Sequence, residues 1–181
     1  MKIYSTRHGE TDYNASETVL GITDLPLNAK GIQQAHDLAE RVKVLGDVDL
    51  IISSPMLRAF TTAEAVAERC GLSISKDERL REWNYGFYEG KSRLFGNFQQ
   101  DKKEFAVKMG ESGESLLQLS HRVYSALDDI IKNYNDKNVL IVSHGGVCRM
   151  IETYFNNMTV EEYSGWFMGN CQIIEYNINQ E

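Results

Sequence analysis

The sequence predicts an α/β fold: a three-layer sandwich in which a mainly parallel sheet carries helices on both faces. Three observations point to it. Short runs at 49–53 and 138–143, apolar throughout between their polar end residues, have the character of strands buried on both sides. Around them lie longer segments with apolar residues at helical spacing, so strands and helices alternate along the chain. The order reads β-α-β-α-β, an irregular insert, then α-β-α-β, a pattern built from right-handed crossovers.

The opening run, 1–14, starts as a strand and stops abruptly on Arg7-His8-Gly9. Turn chemistry from Gly21 to Pro26 leads to Asn28, a helix N-cap ahead of Ile32, Ala35, Leu38, Ala39, Val42 and Leu45. Gly46-Asp47 ends that helix. After the strand at 49–53, Ser54 reads as a cap with Pro55 at the first helical position. The apolar stripe that follows is Met56, Ala59, Phe60, Ala63, Val66, Ala67 and Cys70. A brief strand is expected at 72–75. Residues 77–111 are aromatic, mixed in charge and poorly periodic, with a partly helical stretch at 98–109; an insert of this length suits a cover over a site. Ser115 and Gln118 form a capping box that opens a long helix through Tyr134. The strand at 138–143 runs through Gly145-Gly146 into a helix ending at Phe155. Thr159 and Glu162 cap one more turn, and 171–178 alternates as an edge strand near the C-terminus.

The 181 residues suit one domain spanning 1–181, and 42% apolar with 25% charged residues is ordinary for a globular chain. A formal charge of −7 argues against nucleic acid or an anionic membrane as partner. It also requires any phosphate ligand to be held by a local cationic pocket. Cys70, Cys148 and Cys171 are scattered and odd in number, without zinc or redox spacing, which fits reduced thiols in a cytoplasmic protein. No apolar run approaches the ~18 residues of a membrane span, and no signal-peptide layout opens the chain. No signal fixes an oligomeric state; Tyr163, Trp166 and Phe167 are candidates for an interface.

In a parallel sheet, ligands bind outside the carboxyl ends of the strands. Those ends carry Arg7-His8 after the first strand, Arg58 in the first turn after the second, Glu82 after the third and His144-Gly145-Gly146 after the fourth. Two arginines, two histidines and two helix N-termini at one edge suit a dianion, most naturally phosphate. Asn14, Thr11, Thr23 and the Gly145 N–H are secondary candidates for phosphate or substrate contacts, although Thr11 and Asn14 also suit an ordinary turn.

Four stretches together resemble the histidine phosphatase superfamily, whose members include cofactor-dependent phosphoglycerate mutases. They are Arg7-His8-Gly9-Glu10-Thr11 with Asn14; Ser53-Ser54-Pro55-Met56-Leu57-Arg58-Ala59 with Thr62-Ala63; Leu80-Arg81-Glu82 with Gly86 and Glu89-Gly90; and Ser143-His144-Gly145-Gly146 with Arg149. Thr61 and Tyr88 stand where family members usually carry Gln and Trp. The resemblance implies that His8 attacks phosphorus and carries the phosphoryl group. Arg7, Arg58 and, if cationic, His144 would hold the oxygens, and Glu82 would serve as the acid. An imidazole suits that role, being neutral and nucleophilic near pH 7.

No residues remain for a metal centre, so neither metal nor cofactor is expected. His36 and His121 lie among polar helical neighbours and read as solvated. Gly86 to Ser92 imitates a P-loop but has one residue too few between its glycines. The expected activity is metal-independent hydrolysis of a small phosphorylated metabolite. Mutase chemistry is the enzymatic alternative; mutases of the family it resembles generally carry extra basic residues in the insert and a long C-terminal tail, whereas few residues follow the last strand here. A non-catalytic phosphate-binding module is the alternative of another class, and it predicts a missing nucleophile or acid. Trp83, Tyr85, Phe87, Tyr88, Lys91, Arg93, Lys102 and Lys103 are the insert side chains placed to set the substrate.

Overall fold

The structure, a computed structural model, describes residues 1–178. Its sheet comprises β1 (Lys2–Arg7), β2 (Leu50–Ser53), β3 (Ile74–Lys76), β4 (Val139–Ser143) and β5 (Ile173–Asn177). Their spatial order is β3-β2-β4-β1-β5; β1 to β4 run parallel and β5 pairs antiparallel with β1. The helices are α1 (Asp12–Ala15), α2 (Ala29–Leu45), α3 (Leu57–Cys70), α4 (Phe98–Asp101), α5 (Leu116–Asn133), α6 (Gly145–Phe155) and α7 (Val160–Gly165).

The period-2 alternation of strand side chains separates two cores. On β4, Val139 and Ile141 point to the layer of α5 and α6, with Leu119, Val123, Leu127 and Ile151. Leu140 and Val142 point the other way, against Leu38, Ala39 and Val42 of α2 and Ala59, Ala63 and Val66 of α3. All four β4 side chains are fully buried, which is why the run is uniformly apolar.

Each departure from expectation has a physical cause. Helix α3 begins at Leu57, not Pro55, with Met56 as its cap residue. Ser54 Oγ accepts the Met56 N–H at 3.3 Å and lies 2.8 Å from His144 Nε2. The Leu57 N–H donates to the Asp24 carboxylate at 2.9 and 3.1 Å, so a distant carboxylate neutralises this helix end. Ile32 and Leu45 fit the helical spacing of α2 yet are 47% and 40% exposed. The buried stripe is instead Gly31, Ala35, Leu38, Ala39 and Val42. Gly31 is needed there because a Cβ would strike the Glu10 backbone, so α2 presses its first turn against the loop after β1. Within 98–109 only Phe98–Asp101 is helical. The turn at Asp12–Ala15, read as loop from sequence, is a short helix with Thr11 as its N-cap.

Among the described residues no helix is long and apolar enough to cross a membrane, and Cys70, Cys148 and Cys171 are free thiols.

Candidate active site

Strands β1 and β4 are neighbours in the middle of the sheet, with Arg7 in register with Ser143. The His8 N–H donates to the Ser143 carbonyl at 3.0 Å, so the two strand ends deliver His8 and His144 side by side. Their rings meet edge to face, 5.2 Å between centroids. His8 Nδ1 lies 2.6 Å from the Gly9 carbonyl. A carbonyl can only accept, so Nδ1 carries the proton and Nε2 keeps its lone pair. The Arg58 Nε–H points at that lone pair across 3.2 Å. Burial first, then the Arg58 and Arg7 guanidiniums, holds the His8 pKa well below the ordinary 6.5. The ring is therefore neutral at physiological pH, with a directed nucleophilic nitrogen.

Arg58 is completely buried and spends its other donors on the chain: Nη1 to the Thr23 carbonyl at 3.0 Å and Nη2 to the Gly21 carbonyl at 2.8 Å. Burial lowers its pKa to about 10, which leaves it cationic.

His144 is not cationic. Burial, then Arg58 and His8, hold its pKa well below the ordinary value, so it is neutral. Its Nε2 lies 2.8 Å from the Ser54 hydroxyl, which can donate or accept there and also accepts the Met56 N–H. His144 Nδ1 is a buried atom with no hydrogen-bond partner among the described residues. His144 thus adds a neutral ring beside His8. Arg7 is similar: Nη1 donates to the Met168 carbonyl at 3.1 Å, while buried Nε has no such partner.

Glu82 is 5% exposed and lies at the start of α6. Both carboxylate oxygens sit 3.1 Å from the Gly146 N–H, and Oε1 also accepts from Trp83 N–H at 2.8 Å. The close fit demands glycine at 146, where a Cβ would lie 2.6 Å from Glu82 Oε1. From α5, Arg122 fixes the approach to Glu82, donating to the carbonyls of Arg79, Arg81 and Glu82 at 2.5, 2.6 and 3.1 Å. The sequence carries no local signal for this partner, forty residues from Glu82.

A cavity of about 200 Å³ opens over these groups, lined by Arg7, His8, Asn14, Glu82 and Gly145 from the expected set. Arg58 and His144 are fully buried beneath. Thr11 and Thr23 are not brought to the cavity. The Thr11 hydroxyl caps α1, accepting from Asn14 N–H at 3.3 Å. The Thr23 hydroxyl donates to Glu89 at 2.5 Å, and its backbone carbonyl is what serves Arg58.

Tyr85, Arg93 and Lys102 of the insert line the cavity as expected of a covering segment. Trp83, by contrast, is buried in the core. Gln99, Arg149, Phe167 and Met168 also contribute to the wall, and Asn170 Nδ2 donates to the His8 carbonyl at 2.8 Å. The return of 166–170 to the site had no sequence signal beyond three aromatics that suggested an interface. Phe167 lies against the Arg7 guanidinium at 5.3 Å. Among the described residues no group of three or more His, Cys, Asp or Glu is placed to hold a metal ion.

A family model described as "Histidine phosphatase superfamily (branch 1)" matches residues 3–181. The chain is 40% identical over 153 residues to a probable phosphoglycerate mutase, GpmB, of Escherichia fergusonii, covering 80% of this chain and 70% of that one. Its structure is similar to that of a mycobacterial glucosyl-3-phosphoglycerate phosphatase complexed with VO3, with TM-score 0.85 and 26% identity over 96% of this chain and 90% of the other. A phosphoserine phosphatase of Entamoeba histolytica in complex with 3-phosphoglyceric acid gives TM-score 0.84 and 30% identity, over 96% and 89% of the two chains. The chain belongs to the histidine phosphatase superfamily.

Proposed function

We propose that this protein hydrolyses a small phosphorylated metabolite without a metal ion, through a phosphohistidine formed at His8 Nε2. One observation carries the reading: His8 has its Nδ1 proton tied to Gly9 and its Nε2 lone pair aimed at a buried arginine, in a cavity that also holds Glu82. A histidine kept merely for packing has no need of a cation facing its unprotonated nitrogen.

In the first half-reaction, the Nε2 lone pair attacks phosphorus and the ester P–O bond breaks. The departing alkoxide takes the proton of the Glu82 carboxyl. Glu82 lines the same cavity as His8, which places it to donate. Arg58 Nε–H, released from Nε2 as the N–P bond forms, turns to a phosphoryl oxygen. Arg7 Nε–H and the Gly145 N–H offer further donors as charge spreads over the oxygens, with the neutral His144 ring beside them. In the second half-reaction, Glu82 takes a proton from water, the resulting oxygen attacks phosphorus and the N–P bond breaks. Inorganic phosphate leaves, and the neutral imidazole and protonated acid are restored.

The GpmB relative favours a second reading, in which the phosphoryl group returns to another substrate oxygen. Incubation with 3-phosphoglycerate separates the two. Hydrolysis releases stoichiometric inorganic phosphate; a 2-phosphoglycerate product without phosphate release would replace hydrolysis by transfer.

A further inference from the structure

Glu82 sits on a stretch that makes no strand or helix of its own. It follows the 3₁₀ turn Glu78–Leu80 and precedes the turn Gly86–Tyr88. An acid on irregular backbone has no ladder of hydrogen bonds to fix it, yet catalytic groups must be held to within about 0.5 Å. The stretch is fixed from outside, by two residues for which the phosphate chemistry has no use.

Those residues are Arg122 on α5 and Glu114, just ahead of that helix. A guanidinium has five N–H groups, and in Arg122 each has a partner. Nη1 donates to the Arg79 and Arg81 carbonyls, Nη2 to the Glu82 carbonyl and Glu114 Oε2, and Nε to Glu114 Oε1. The two contacts to Glu114, 2.7 and 2.9 Å, make a bidentate, partly buried ion pair. The Glu114 main chain extends the grip: its carbonyl accepts from Trp83 Nε1 at 2.7 Å, and its N–H donates to the Asn84 carbonyl at 2.9 Å. Leu80, between these points, is fully buried in the core. Arg122 has no N–H left for a substrate, so its influence on the reaction passes through the chain it holds. Nor is it needed to anchor that chain to α5. Arg79 already does so, reaching the Ser125 carbonyl at 3.0 Å and the Asp129 carboxylate at 2.7 Å on the same helix.

At its other end Glu82 is held by α6, through the Gly146 N–H on both carboxylate oxygens. Helices α5 and α6 share one core, and Tyr124 Oη lies 3.0 Å from Thr153 Oγ1 across them. Glu82 is suspended between two helices, its carbonyl on one and its carboxylate on the other. We propose that Arg122 and Glu114 are positioning residues for the Glu82 carboxyl, holding it where it can protonate the leaving oxygen. The inference rests on the phosphatase reading, in which Glu82 is the acid.

A double-mutant cycle tests it, with 3-phosphoglycerate as the alkyl substrate and p-nitrophenyl phosphate as the one whose leaving group needs no proton. Arg122→Met should lower kcat for 3-phosphoglycerate by roughly ten- to a hundredfold, the loss expected of a displacement of about 1 Å, with little change in KM. In the Glu82→Gln background the same substitution should cost less than about twofold, because the carboxyl it positions is already gone. The first-turnover rate of p-nitrophenol release by Arg122→Met should stay within about twofold of wild type, whereas a folding defect cuts both substrates alike. Arg122→Lys, an ammonium without the fork, should recover little, and Glu114→Gln should lose less than Arg122→Met. These two variants carry the cycle if Arg122→Met does not fold. Penalties that multiply in the double variant, equal losses on both substrates, or full activity in Arg122→Met overturn the positioning role. If wild type turns over neither substrate, or Glu82→Gln costs nothing, the phosphatase reading fails and takes the inference with it.

Discussion

The reactivity proposed for His8 rests on which ring nitrogen the fold leaves free. Its backbone neighbour Gly9 binds Nδ1, and Arg58, fifty positions on, faces Nε2. The sequence singled out His8, Arg7, Arg58, Glu82 and His144 because each follows a strand end, and strand ends are readable from apolar runs; the structure brings the five together. The neutrality of His144 was not legible, since it depends on complete burial and on the neighbouring Arg58. Nor was the fate of Thr11 and Thr23, whose hydroxyls have closer partners than any ligand. The division of labour at Glu82 has a kinetic consequence. Glu82→Gln should lower kcat for an alkyl phosphate by about 10²–10⁴, because the leaving alkoxide then has no proton donor. With p-nitrophenyl phosphate, whose leaving group needs no proton, the first step survives and the second lacks its base. Stopped-flow traces should then show a burst of p-nitrophenol followed by slow turnover. Equal losses on both substrates, without a burst, would remove Glu82 from the acid role.

At the level of elements, the site depends on segments that hold one another. Glu89, beyond the 3₁₀ turn Gly86–Tyr88, gathers the backbone N–H groups of Ile22 and Thr23 at 2.9 and 2.8 Å. The carbonyls of Gly21 and Thr23 in that loop hold Arg58, and Arg58 faces His8. Glu89→Ala should therefore lower kcat by about tenfold while KM changes little, and Glu89→Gln, which keeps one acceptor, should lose less. A change confined to KM would mean that the loop serves only binding. Helix boundaries were readable where caps are local, as at Asn28 and Ser115. They failed at α3, where Asp24, thirty-three residues away, supplies the cap and Ser54 serves a histidine. The contribution of 166–170 was unreadable for the same reason. A short irregular return to the site is fixed by long-range partners such as Asn170 on the His8 carbonyl.

Across the whole molecule, a sheet with two separate cores places two neutral histidines in its middle, and this couples stability to pH. Both have pKa values lowered in the folded state, so below the unfolded-state value of 6.5 the unfolded chain binds protons that the native chain refuses. Their contribution is complete above about 6.5 and is lost as pH falls, at up to about 1.4 kcal/mol per pH unit for each ring. Urea unfolding at pH 7 and pH 5 should show a smaller loss for His144→Asn than for wild type; an equal loss would mean that the ring is protonated in the native state. The alternation of strands and helices was legible throughout, because apolar periodicity reports layers directly. The order β3-β2-β4-β1-β5 was not, since nothing local tells β4 to enter between β2 and β1. That insertion is what sets His8 beside His144. The proposal that His8 carries the phosphoryl group is tested most directly by a quench that avoids acid, in which phosphohistidine is labile: rapid mixing with substrate, quenching in alkali, and peptide mass spectrometry. The expected result is a phosphoryl group on the His8 peptide of wild type that is absent from His8→Ala, which turns over no substrate. Undiminished turnover by His8→Ala, or a phosphoryl group on another residue, would contradict it.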